Sequence, residues 1–532
     1  MKKTFRFGGP NRLFLFLFLL AVGFSVGTSR AGSGIWKAEP EDGNWNNPAN
    51  WSCNCVPENA DAASFGASNV TEISLSALVR LSSLTFQTTA SAYTITLPAA
   101  TSLNIFGGSI DNGSLLIQQF HTATDDKGAA GSVSIQTGTT DGCMFTNDGA
   151  AVAGGISGAL FITITGSAGN ATIVNKGGLV SGADGGLVHF NEQTTAATAT
   201  ITNEPGTVAG ANGGLAQFVF NSATTAADAT ITCEGASISG AGGGMTEFRD
   251  VTTAGNATLI ANGGSNGGAG GAIQFLDKSK GGTARIELFG SGTLNLTAHE
   301  SVLTTGSVEG DGIVHLGSGR LSVGTNNLST TFSGMIQDAG SLTKTGTGTF
   351  TLTGANTYTG TTTVSGGVLL AANATGSATG TGAISVGVGT LGGSGFISGA
   401  VTVGTGSGAG AFLAPAFGSD KQVTLTLQSS LTFQADATYT YTFKAKKNLA
   451  RTDLVIANGI TINGATIALQ GTTQGRLKRG LVLTVLSNTS ANLISGAFSN
   501  LAEGGIVNVN GNNLQASYTG GDGNDLTLTV VP

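Results

Sequence analysis

From about residue 161 to 290 the chain sets short apolar runs between turns of Gly, Asn and Thr, with a period of about 28 residues. Each unit opens on Ala followed by two strand residues: Ala171-Thr172-Ile173, Ala199-Thr200-Ile201, Ala229-Thr230-Ile231, Ala257-Thr258-Leu259 and Ala284-Arg285-Ile286. A Gly-Gly pair followed by phenylalanine travels with it, at Phe190, Phe218, Phe248 and Phe275, and Phe161 stands one period earlier in a weaker copy. The runs are β-branched and alternate with period two; none has the 3.6-residue period of a helix. A repeat of this length means stacked units, none able to bury its apolar side alone. The pattern therefore predicts an all-β chain, a right-handed parallel β-helix.

Aligned positions of such a stack form columns one strand spacing apart. Asn175 and Asn203 are expected to make an amide ladder, with Cys233 in the same inward column. Lys176, Glu204, Glu234 and Asn262 form one polar column; Glu192, Asp250 and Asp277 form another, with Phe220 or Asn221 in the odd copy. These acidic columns are the constellation that could carry chemistry. Stacked carboxylates about 5 Å apart match the spacing of retaining glycosidases, and oxygen ligands at that spacing also suit calcium. A solvated face is the plainer account, because His121, His189, His299 and His315 share no motif with the acids.

Composition narrows the class. The chain has 86 Gly but only 10% charged residues against 40% hydrophobic, which excludes disorder and suits a fold that turns a corner every few residues. Growth along one axis also frees a 532-residue chain from dividing into globular domains. At roughly 25 to 30 residues per coil and ~4.8 Å per strand, the rod would be roughly 80 to 95 Å long. A formal charge of −7 argues against nucleic acid as a partner.

Lys2, Lys3, Arg6 and Arg12 precede the apolar run Leu13 to Val26, and Ser29-Arg30-Ala31 offers a small-residue cleavage site. Residues 1–31 are thus expected to be a secretory signal, leaving no integral membrane helix in the mature chain. Four cysteines are too few for a disulfide framework. Cys53-Asn54-Cys55 can close a local disulfide after export or bind a soft metal, and the disulfide is the expectation. All three tryptophans, Trp36, Trp45 and Trp51, lie within residues 32–66. That block can act as an aromatic platform for sugar rings or as a cap over the open end of the stack, and the cap is the expectation.

Residues 342 to 370 carry Lys344-Thr345-Gly346-Thr347-Gly348, Gly354-Ala355-Asn356-Thr357-Tyr358-Thr359-Gly360 and the closing Gly366-Gly367-Val368-Leu369. This segment resembles the autotransporter-associated β-strand repeat of passenger regions in large exported bacterial proteins. The resemblance implies about one coil of right-handed β-helix, a surface or secreted location, and adhesion or display more often than catalysis. Passengers of that kind lead into a membrane β-barrel, and no barrel-like series of strands follows here, so the expectation is passenger-like without the translocator. The region 67–419 is expected to form the β-helix and 420–532 a β-rich terminal cap.

Two tail features remain. Gly520-Gly521-Asp522-Gly523-Asn524-Asp525-Leu526-Thr527-Leu528 fits a calcium-binding nonapeptide, but one copy supplies half a site, so a turn before a terminal strand is expected. Lys444, Lys446, Lys447, Arg451, Arg476, Lys478 and Arg479 gather seven of the 23 basic residues, either as solvated strand faces or as a patch for acidic glycan. The expected function is an exported, non-enzymatic structural or adhesive surface rod with surface polysaccharide as the candidate partner. The alternative is a carbohydrate-active β-helix enzyme, lyase or hydrolase, working through residues such as Glu204 and Glu234. No catalytic residue, metal or cofactor is assigned.

Overall fold

Alternation places Ile173, Ile201, Ile231, Leu259 and Ile286 inside and their Thr and Arg neighbours outside, and the backbones stack in register. Thr172–Asn175 pairs in parallel with Thr200–Asn203, that strand with Thr230–Cys233, and the line continues through Thr258–Ala261 and Arg285–Leu288. The chain is a parallel β-helix in this computed structural model, which describes residues 32–419 and 421–532. The signal assigned to residues 1–31 lies outside the described residues.

Three sides build each coil. The first sheet runs from Gly34–Ile35 through Leu187–Asn191 to Met335–Gln337. The second runs from Glu72–Ser74 to Thr466–Gln474 as an open ladder, with no strand pair joining its two edges among the described residues. On the third side single bridges link Ser167, Thr195, Thr225, Thr253 and Lys280. From Val302–Thr305 onward that side becomes a continuous sheet reaching Ser495–Ala497.

The core is made of columns. Phe190, Phe218, Phe248 and Phe275 stack face to face with ring centroids 4.6 to 4.8 Å apart. Phe161 does not join them. Ile162 pairs with Phe190, whereas Phe161 pairs with His189 and faces outward, one residue out of phase with the expected copy. With a side-chain period of two, a slip of one residue changes the face. Beside the phenylalanines runs the amide ladder, longer than expected: Asn147 donates to Asn175 and Asn175 to Asn203, each at 2.8 Å and fully buried. Each amide also donates across the coil to a first-sheet carbonyl, at Leu187, Leu215 and Met245. The Gly-Gly pair answers to this ladder. A Cβ on Gly186, Gly214 or Gly244 would land on the carbonyl of Asn147, Asn175 or Asn203, so only glycine lets the two backbones meet.

Corners require a left-handed backbone. Gly182, Gly210, Gly240 and Gly267 supply one corner with φ of +76° to +81° and carry a loop that stacks through its own amide bonds. Past Gly267 that loop vanishes, and ladder contacts shorten from 27–30 residues of separation to 20–22. The tryptophans lie at the first coil and are buried, Trp36 at 1% exposure and Trp45 and Trp51 at 0%; Trp51 meets Trp36, Trp45 and Phe65 edge-on, and Trp36 and Trp45 lie tilted against Phe65. Their faces are closed to sugar rings, which removes the platform alternative. Cys53 and Cys55 form a disulfide.

At the other end the strands turn antiparallel: Asp525–Val531 lies between Val482–Asn488 and Asn512–Gly520, with Ile506–Val509 outermost. The exposed edge of Thr466–Gln474 is covered by asparagine side chains rather than a strand. Asn500 accepts from Ile467 N–H at 3.0 Å and donates to Ile467 C=O at 2.8 Å, and Asn510 and Asn512 reach Gly471 and Thr473. Such amides satisfy edge groups that would otherwise template another chain.

Candidate functional site

The acidic column after the phenylalanines is a corner, not a carboxylate pair. Ile164, Glu192, Phe220, Asp250 and Asp277 all have φ between +52° and +75°, so Phe220, and not Asn221, fills the odd place. Asp250 accepts the Phe220 N–H at 2.9 Å, and Asp277 accepts the Asp250 N–H at 3.0 Å. Each aspartate caps the left-handed residue one coil earlier, a use of short acidic side chains that such corners favour. In the other column Glu234 accepts from Asn262 at 2.9 Å, and Lys176 stands 3.9 Å from Asp148. Glu204 and Glu234 sit one coil apart on the outer side, both half-buried.

Sequence reasoning missed a polar file on the outer face of the first sheet. His189, Gln217, Glu247, Gln274, Asn295, His315 and Gln337 share one register across consecutive coils. His189 Nδ1 lies 3.0 Å from Gln217 Oε1, and Gln217 donates to Glu247 at 2.9 Å. Arg249 closes on the same Glu247 oxygen at 2.8 Å. Burial pushes the His189 pKa down against the opposing Gln217 contact, so the ring is neutral at physiological pH. Beside the file runs a half-buried apolar column, Leu187, Leu215 and Met245. The signal was legible as a third repeat column, hidden because its residues differ in type from copy to copy.

The remaining histidines serve local bonds. His121 Nε2 meets Asp148 at 2.7 Å, His299 lies between the Ser279 and Ser301 carbonyls, and His315 meets Gln337 at 2.8 Å. Cys143 and Cys233 are buried free thiols whose pKa values burial pushes up to about 12 and about 11, which makes both inert. Among the described residues no three His, Cys, Asp or Glu side chains gather as metal ligands. Gly520–Asp525 is the turn of an antiparallel hairpin; Asp525 accepts the Asn488 N–H at 2.9 Å, and Asn524 donates to Ser490.

The segment 342–370 has a demanding interior. Lys344 points inward at 1% exposure, and its ammonium donates to the carbonyls of Thr345, Gly346 and Gly366. Burial pushes its pKa down to about 8. Asn356 accepts the Ile336 N–H at 2.7 Å and donates to Ala378 C=O at 2.6 Å, bridging the coils on either side where the first sheet has no strand. Buried Tyr358 bonds to Thr362 at 2.6 Å. Asn356 therefore connects three successive coils, and Lys344 ties its own coil to the next.

Most basic residues of the tail meet at the last coils. Ala437–Lys446 and Thr466–Gln474 pair in parallel as far as Lys446 and Gln474, beyond the Ala411–Leu413 strand beneath, and Leu449–Thr452 folds back on the overhang. Lys444, Lys446 and Arg451 line a cleft of about 250 Å³ with Leu449, Thr472 and Gln474. Arg476 and Arg479 line a second of about 220 Å³ with Asn512 and Asn513. The Lys478 N–H donates to Lys447 C=O at 2.7 Å and ties the two loops together.

With this geometry in view, the passenger-associated-transport-repeat family model matches residues 342–371, and over that segment the chain is passenger-like. No curated protein matches the chain. Among solved structures, the crystal structure of the Haemophilus influenzae Hap adhesin is similar at 12% identity and a TM-score of 0.29. That likeness covers 89% of this chain and 64% of the Hap chain. At that score the fold rests on strand register alone. No helix of the described residues is long and apolar enough to cross a membrane.

Proposed function

We propose that the chain is an exported, non-enzymatic surface rod of structural or adhesive use, capped by residues 32–66 and by 420–532. The observation that carries this is a passenger-associated-transport-repeat built into a parallel stack, with Asn356 joining the coils on both sides and Lys344 tied to the coil that follows. Support for export comes from the Cys53–Cys55 disulfide, since such bonds persist in oxidising compartments. Support for a non-catalytic role comes from the carboxylates. Asp250 and Asp277 cap backbone corners, Glu234 holds Asn262, and Glu247 holds Gln217 and Arg249. A general acid or nucleophile needs a carboxyl free to reach substrate.

The test is attachment. Purified chain without residues 1–31, coated on beads, is expected to promote adhesion to glycan-bearing surfaces, and cells lacking the gene to attach poorly or lose surface-layer integrity. Unchanged attachment and surface layer would refute the proposal. Release of reducing ends or unsaturated products from a polysaccharide panel, lost in Glu204→Ala/Glu234→Ala, would establish the enzymatic alternative instead.

A further inference from the structure

The charge of this chain is segregated. Residues 32–443 hold 11 Lys or Arg against 26 Asp or Glu, and residues 480–532 hold three acids and no base. Between them, residues 444–479 hold seven bases and one acid, Asp453. That acid is fully buried; its carboxylate accepts from Thr442 and from the Val423 N–H, so it offers the bases no exposed counter-charge. Among the described residues no ion pair involves Lys446, Lys447, Arg451, Arg476, Lys478 or Arg479, and all six are exposed.

The fold concentrates these charges. In Ala437–Lys446 the alternate residues Tyr441, Phe443 and Ala445 are buried, which forces Lys444 and Lys446 onto the opposite face. The antiparallel return sets Arg451 directly across from Lys444. The tie between Lys478 and Lys447 then joins this face to the Arg476–Arg479 cleft. The like charges of Lys446, Lys447, Arg451, Arg476, Lys478 and Arg479, gathered at one end, repel one another and weaken the fold, a cost that a bound polyanion reverses. Arginine in both clefts also provides the forked donor geometry that matches sulfate or carboxylate.

We propose that the two clefts form one binding site for an anionic polysaccharide bearing sulfate or carboxylate groups. Each cleft is too small for a folded partner and takes one anionic residue, and a linear chain crossing the Lys447–Lys478 junction engages both. Linking the two contacts raises overall affinity well beyond either alone. Its biological meaning rests on the adhesive reading above, but the binding itself is separately measurable.

The experiment immobilises dextran sulfate and, in parallel, neutral dextran, and measures binding of the chain without residues 1–31. Dextran sulfate is expected to bind and neutral dextran not to bind, with affinity falling as salt is raised. Lys446→Glu/Lys447→Glu/Arg451→Glu should weaken binding at least tenfold with unchanged thermal unfolding, and Arg476→Ala/Arg479→Ala should weaken it by a smaller factor. If the reversal variant misfolds, Lys446→Gln/Lys447→Gln/Arg451→Gln is read in its place. Unchanged affinity in a folded variant, or equal binding to neutral dextran, overturns the proposal. So does a preference for phosphatidylglycerol vesicles over dextran sulfate, which makes the patch a membrane contact, or salt-sensitive self-association that the variant abolishes. Polyanion binding lost while bead attachment persists would leave the adhesive rod standing and confine the failure to this site.

Discussion

Asn175→Ala is the sharpest test of the core. The amide accepts from Asn147, donates to Asn203 and donates to Leu215 C=O, all within a fully buried column. Three bonds at about 1 kcal/mol each are lost, and the stranded Asn203 oxygen adds a desolvation penalty of about 1–2 kcal/mol. Asn147 keeps one of its two amide donations, to Leu187 C=O, and loses the other. The expected local loss is thus about 4–5 kcal/mol, against less than about 0.5 kcal/mol for Thr202→Ala on the outer face. Because stacked coils couple mainly to their neighbours, a single melting temperature blurs this effect. Hydrogen exchange resolves it: protection in Cys143–Asn147, Thr172–Asn175 and Thr200–Asn203 should fall at least a hundredfold, while Leu431–Phe433 stays unchanged. A fall below tenfold, or an equal fall along the whole rod, would show that the ladder does not hold these coils together.

Phe220 is exposed and held at φ +75°, so Phe220→Asp should stabilise the array by about 1 kcal/mol by relieving the left-handed cost and capping the preceding corner; a lower denaturation midpoint would contradict this. Lys344, with its pKa pushed down to about 8, binds a proton less readily folded than unfolded. Between pH about 8 and about 10 Lys344 alone therefore leaves the unfolded chain with more protons, and its own contribution to stability should rise with pH. The buried Cys143 and Cys233 thiols, whose pKa values are raised, act in the opposite sense from pH about 9. The stability difference between wild type and Lys344→Met isolates the lysine and should shift in favour of wild type as pH rises through that window, because the cysteines and the buried tyrosines Tyr358, Tyr439 and Tyr441, whose pKa values are raised, are common to both chains. A wild-type-minus-variant difference that stays flat from pH about 8 to about 10 would refute the assignment. Asn356→Ala removes the bridge from Ile336 to Ala378 and should cost about 2–4 kcal/mol locally, seen as new protease cleavage between residues 353 and 380; resistance equal to wild type would count against it.

The candidate site was only partly legible. Glu192, Asp250 and Asp277 stand out as a column because they recur at fixed offsets, and a solvated face is the plainer reading of them, but the capping of corners by the two aspartates is not legible there. A string of residues carries side-chain identity, whereas the left-handed corner that sets the Asp250 and Asp277 carboxylates on a neighbouring amide depends on the coil beside it. The His189–Gln217–Glu247 file was missed for the converse reason. The register is constant while the residue types change.

By itself the sequence determined the parallel stack, its period, the inward Phe and Asn columns and the repeat at 342–370, since all of these follow from alternation and spacing along one chain. The tertiary structure decided what depends on distant partners. It turned Phe161 outward, closed the tryptophan faces, buried Lys344 among carbonyls and shortened the coils past Gly267. It also drew bases from two separate loops into adjoining clefts at one end. The physical reason is range: periodicity is a local property of the chain, but face, burial and charge density are set only when residues some 20 to 40 positions apart come into register.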